Sequence, residues 1–139
     1  MAELSLSGSC LCGDVEYNIA GTQTDFWHCH CERCRKATGT GHASNLIFAP
    51  VELRFTKGED HVRRFKVPDA RFFTNVFCTL CGSRLPNYSA ERGFAVVPAG
   101  SLDSDPGVEA GGRIFKGSAA SWSCSDGSMP EFEEYAPRD

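Results

Sequence analysis

The placement of cysteine constrains this 139-residue chain more than any other feature. Seven of its eight cysteines fall into three tight clusters: Cys10-Leu11-Cys12, Cys29-His30-Cys31-Glu32-Arg33-Cys34 and Cys78-Thr79-Leu80-Cys81. Each cluster has the spacing of metal ligands. A structural zinc is closed by four thiolates, whereas three thiolates leave a position open for chemistry. Two, three and two therefore suit one closed and one open site. Spacing alone does not assign which clusters pair. The odd count of the triplet favours joining the two pairs. Its own fourth position would then come from water, substrate, a His or Cys124.

Disulfides are the competing use of cysteine. Neighbouring C-x-C residues make poor disulfide partners, because the short ring strains the bond. The opening Met1-Ala2-Glu3-Leu4-Ser5 has neither the basic nor the apolar part of a signal peptide. No run of eighteen apolar residues offers a membrane span. A cytoplasmic location is the resulting expectation, and in a reducing compartment paired cysteines bind metal or do redox chemistry.

The formal charge is -4. With two zinc ions and seven thiolates it becomes about -7, since ligand thiols lose their protons. The dense basic stretches, Arg33, Arg35, Lys36 and Arg63, Arg64, Lys66, are too short to support a nucleic-acid surface on an acidic chain. The expected partner is a small molecule, with no nucleic acid and no membrane; the oligomeric state is not legible.

The length suits a single domain, 1–139. Alternation of apolar and polar residues dominates, as at Val15, Tyr17, Ile19 and at Val51, Leu53, Phe55. Further strand candidates are 45–48, 61–67, 71–77, 94–98 and 113–116, separated by Gly- and Pro-containing turns. One short helix is expected over 32–38, stopped by Gly39. The fold class is mainly β, of short antiparallel strands and coiled sheets clipped by zinc, with at most one or two short helices. Gly82, after the third cluster, is expected to accept the unusual dihedrals of a zinc knuckle.

The segments Gly8-Ser9-Cys10-Leu11-Cys12-Gly13-Asp14-Val15, Cys29 to Lys36 with Gly39, and Phe77-Cys78-Thr79-Leu80-Cys81-Gly82 resemble the glutathione-dependent formaldehyde-activating enzyme family, whose fold is similar to that of Mss4. A weaker echo covers Gly100-Ser101-Leu102-Asp103 and Trp122 to Phe132. The resemblance implies a structural zinc on Cys10, Cys12, Cys78 and Cys81, and a catalytic zinc on Cys29, Cys31 and Cys34. It also implies a carbon–sulfur lyase that reversibly joins glutathione, as co-substrate, and formaldehyde. Two departures stand out. Gly112-Arg113-Ile114-Phe115 occupies a stretch where the family often has a His, which bears on the substrate. Thr79 replaces a common Pro.

Arg35 and Lys36 follow the triplet and are candidates to meet the carboxylates of glutathione. His30, between two ligands, is a candidate proton carrier; His28 and His42 are weaker ones. His61 reads as an ordinary strand residue, and Cys124 as a small buried hydrophobe. Trp122 and Phe132 read as core or pocket wall. Glu131, Glu133 and Glu134 read as a solvated face. Two rival functions remain. One is a non-catalytic zinc module for protein interaction. The other is a thiol redox protein, which lacks the βαβ context such a motif needs.

Overall fold

The computed structural model describes residues 1–123 and 127–138. Its elements run β1 (Ala2–Ser9), β2 (Glu16–Cys29), α1 (Glu32–Thr38), β3 (Ala43–Lys57), β4 (Val62–Lys66), β5 (Thr74–Cys78), β6 (Asn87–Ser89), β7 (Phe94–Pro98) and β8 (Gly112–Ile114), with two single 3-10 turns between them and a third after β8. The larger sheet has the order β1-β2-β3-β7-β6, and β8 also pairs with β2. The smaller sheet is the β4–β5 hairpin. The protein is mainly β, as the alternation predicts. All pairings are antiparallel except β2–β8, which is parallel.

Two strands are far longer than expected: β2 has 14 residues and β3 has 15. The separate candidates at 45–48 and 51–55 are one strand that passes through Pro50. The register explains how. Gly21 faces Val51 and Gln23 faces Phe48, so Ala49 and Pro50 together oppose Thr22. Proline has no N–H to give a ladder, and at a bulge none is required. The strands β1 and β6 were not apparent in the sequence. β1 forms because Leu4 and Leu6, with Gly8, alternate against β2 from Gly21 to Tyr17.

The helix spans Glu32–Thr38, and Gly39 ends it in the left-handed conformation at φ 73°. Gly82 is likewise left-handed, at φ 77°. His61 corrects an expectation: it sits in a 3-10 turn rather than a strand, with Nε2 3.3 Å from Asp14 Oδ2.

Strand parity builds the core. Tyr17 and Ile19 of β2, Leu46 and Phe48 of β3, and Ala95 and Val97 of β7 are fully buried with Val76 and Cys78 of β5. Burying each large side chain contributes roughly 1.5–3 kcal/mol. The Tyr17 hydroxyl donates to Ser101 Oγ at 2.7 Å, and Ser101 Oγ donates to Pro98 O at 2.7 Å. Trp122 and Phe132 are not core: they are 68% and 53% exposed. Cys124 lies outside the described residues. Among the described residues no helix is long and apolar enough to cross a membrane.

Candidate metal centres

The turn between β1 and β2 carries Cys10 and Cys12, and the end of β5 carries Cys78 with Cys81 three residues on. The fold brings all four sulfurs within 4.8 Å of one another. Cys10 Sγ lies 3.6 Å from Cys12 Sγ, which lies 4.0 Å from Cys78 Sγ. A tetrahedron with zinc–sulfur bonds of about 2.3 Å has edges of about 3.8 Å. The four thiols therefore fit one zinc-sized ion. The Val15 N–H donates to Cys10 Sγ at 3.3 Å, which favours the thiolate form.

Without a cation, four adjacent thiols share a limited capacity for negative charge. Cys81 is pulled down to about 5, first by the Ser83 side chain, 3.2 Å away, and then by the Ser83 backbone. The Asp14 N–H favours the Cys12 thiolate, but desolvation and the neighbouring thiols outweigh it and push Cys12 up to about 12.

The triplet is assembled locally. Cys29 ends β2, Cys31 caps α1 and Cys34 lies in its first turn, and the three sulfurs lie within 4.8 Å of one another. Cys34 N–H donates to Cys31 Sγ at 3.3 Å. His30 N–H donates to Ile114 O at 2.9 Å, which ties the segment to β8. Burial pushes the Cys34 and Cys29 thiols up. Burial also opposes ionisation of Cys31, but the Cys34 N–H and the neighbouring thiols outweigh it and hold Cys31 low. Among the described residues no fourth Cys, His, Asp or Glu joins this set.

All three thiols line a cavity of about 910 Å³. Sheet parity explains its floor. Trp27 faces Asn45 across β2–β3, Ile47 faces Val96 across β3–β7, and Val96 faces Asn87 across β7–β6. These side chains share one face with Cys29, while Leu46 and Val97 point into the core on the other. Phe72, Phe73 and Arg84 also line the cavity.

Lys36 is exposed at the rim of this cavity, whereas Arg35 is not among the residues that line it. His30 also lies outside the lining. It is 1% exposed, and its ring sits 5.0 Å from that of His42, which in turn lies 4.4 Å from His28. Burial, and then the His42 charge, push His30 down. The three histidines thus form a group of their own. The sequence reading missed Arg84, Asn45 and Asn87 on the cavity wall. Arg84 had one usable signal, its position three residues after Cys81.

The family model described as "Glutathione-dependent formaldehyde-activating enzyme" matches residues 5–118. A crystal structure of a Rhodobacter sphaeroides protein is similar in fold, with a TM-score of 0.53 and 21% identity over 78% of this chain and 99% of that one. No curated protein matches the chain. The two cysteine sets lie within the matched span, and so do the strands β2, β3, β6 and β7 that floor the cavity. The chain belongs to the glutathione-dependent formaldehyde-activating enzyme family.

Proposed function

We propose that the protein is a zinc-dependent carbon–sulfur lyase that joins or cleaves a thiol–aldehyde adduct, with glutathione and formaldehyde as the first pair to test. One observation carries the reading: three thiols gather at the wall of a large cavity with no fourth protein ligand among the described residues. The other four thiols, which clip the β1–β2 turn to the end of β5, are assigned a structural zinc.

A zinc held by Cys29, Cys31 and Cys34 would keep an incoming thiol in its thiolate form, which is the nucleophile. The chain's residues supply the rest. The Cys34 N–H supports the Cys31 thiolate, and Cys29 and Cys34 are buried residues whose sulfurs face the cavity with it. In the joining direction the substrate sulfur attacks the aldehyde carbon. The carbon–sulfur bond forms, the carbonyl π pair moves to oxygen, and that oxygen takes up the proton the thiol has lost. Lys36 at the rim attracts the carboxylates of glutathione; Arg35 does not line the cavity.

The experiment is exchange NMR of glutathione and formaldehyde with the zinc-loaded protein. Accelerated formation of S-hydroxymethylglutathione is expected, and it should vanish in Cys31→Ser. Wild-type protein that holds two zinc ions and accelerates nothing would favour the rival reading, a zinc-clipped interaction module.

A further inference from the structure

The cavity beside the triplet has a polar wall that the proposed reaction leaves unused. Arg84 Nε donates to Asn75 Oδ1 at 2.8 Å, but its Nη1 is buried with no hydrogen-bond partner. Asn45 Oδ1 and Asn87 Oδ1 are buried and unpartnered too, and all three residues line the same cavity. A buried polar atom left unsatisfied costs about 1–3 kcal/mol, so native proteins rarely keep one without a use. Three around one cavity point to a ligand.

The chemistry of that ligand follows from the donors. A side-chain amide presents a donor or an acceptor by turning over. A guanidinium can only donate and is always charged, so Arg84 calls for an anionic acceptor. The local charge agrees. Arg33, Lys36, Arg84 and Arg92 line the cavity against Glu32 and Asp69, although the chain as a whole has 14 basic and 18 acidic residues. Arg33 and Asp69 pair at 3.5 Å, which leaves Lys36, Arg84 and Arg92 against Glu32 and the net -1 of a zinc held by three thiolates. The rest of the wall is apolar, with Trp27, Phe72, Phe73 and Phe94 prominent. A volume of about 910 Å³ also far exceeds what a one-carbon aldehyde fills.

We propose that Arg84, Asn45 and Asn87 form a carboxylate-anchoring subsite, and that the substrate thiol carries this carboxylate on an apolar or aromatic skeleton. The thiol assignment rests on the lyase reading above; the carboxylate assignment does not. With Nε held by Asn75 and Nη1 unpartnered, the guanidinium keeps a donor for a carboxylate, a charge-assisted bond of the strong kind. Arg84 also feels the three thiols, which oppose the burial that lowers its pKa. A purely structural counter-charge would show that same attraction, so the test must read ligand selectivity.

Calorimetry on the zinc-loaded full chain compares two pairs of probes. One pair is thiol-free, 3-phenylpropionate against 3-phenylpropanamide. The other is 3-mercaptopropionate against 3-mercaptopropanamide. In each pair the carboxylate should bind at least about tenfold tighter, equivalent to about 1.4 kcal/mol. In Arg84→Gln the preference should fall to about twofold or less with the amide affinities unchanged, and Arg84→Lys should be intermediate. A wild-type preference below about twofold overturns the proposal, and that comparison needs no variant to fold. So does a full preference retained in Arg84→Gln. If the carboxylate preference holds in the thiol-free pair while no thiol–aldehyde exchange is catalysed, the lyase reading fails and the subsite stands. Exchange without any carboxylate preference removes the subsite alone.

Discussion

The Leu11 N–H donates to Ser83 Oγ at 2.9 Å, joining the first and third cysteine clusters across 72 positions of sequence. The same Ser83 oxygen lies 3.2 Å from Cys81 Sγ. Ser83 thus has one neighbour in each half of the four-thiol set, and its own hydroxyl proton is free to face a Cys81 thiolate.

Ser83→Ala should therefore weaken metal retention. The Ser83 side chain is the largest cause holding Cys81 down at about 5, so its loss raises that thiol toward its ordinary value. A higher thiol pKa lets protons compete with the metal at a higher pH. In an acid titration with a zinc-sensitive dye, the release midpoint should move upward in pH, and affinity at neutral pH should fall roughly tenfold, as for other groups that support metal ligands. An unmoved midpoint would show that Ser83 serves packing alone.

The two thiol sets should respond differently to loss of a ligand. Cys12→Ser is expected to unfold the chain, because a structural metal contributes folding free energy. Cys31→Ser should retain the β-sheet circular dichroism signal of the wild type and bind one fewer zinc by elemental analysis. Equal loss of structure in both would mean that the triplet also holds the fold.

Tyr17 should make stability fall in alkali. Burial raises its hydroxyl to about 12, against an ordinary value of 10. Above pH 10 the unfolded chain ionises this group while the folded chain does not, so the folded state loses ground progressively up to pH 12. The full loss is about 3 kcal/mol. Tyr17→Phe should cost about 1 kcal/mol at neutral pH through the lost Ser101 bond. It should also show a shallower decline between pH 10 and 12 in urea titrations. Parallel curves for the two proteins would rule out the Tyr17 contribution.

Lys36 and Arg35 are adjacent in sequence, but Lys36 alone lines the cavity. An exposed charge contributes on the order of 0.2–1 kcal/mol, so Lys36→Gln should weaken glutathione binding about two- to fivefold. Added salt should shrink the difference. An equal effect from Arg35→Gln would contradict the placement of the two side chains.

Much of the local structure was legible in the sequence. The helix over Glu32–Thr38 and its Gly39 stop are set by capping chemistry within one turn. The buried alternation at Val15, Tyr17 and Ile19 follows from the two-residue period of a strand. The strand over Phe94–Pro98 has the expected bounds. The candidates 45–48 and 51–55 are one strand because the partner strand gives Pro50 a bulge, and that partner is about thirty positions away. Trp122 misled the reading, since hydrophobicity alone does not say whether a neighbour arrives to cover a ring.

The triplet Cys29, Cys31 and Cys34 is a property of the sequence, because three ligands within six residues need little more than a strand end and one helical turn. The four-thiol set depends on the tertiary fold, which closes a long loop to bring Cys10 and Cys12 to Cys78 and Cys81. The cavity wall depends on it still more. Asn45 lies on β3, Asn87 on β6 and Arg84 just after the third cluster. Sheet order and register put Asn45 and Asn87 on one face, and the segment after the third cluster brings Arg84 to the same cavity; none of this is encoded in any local period.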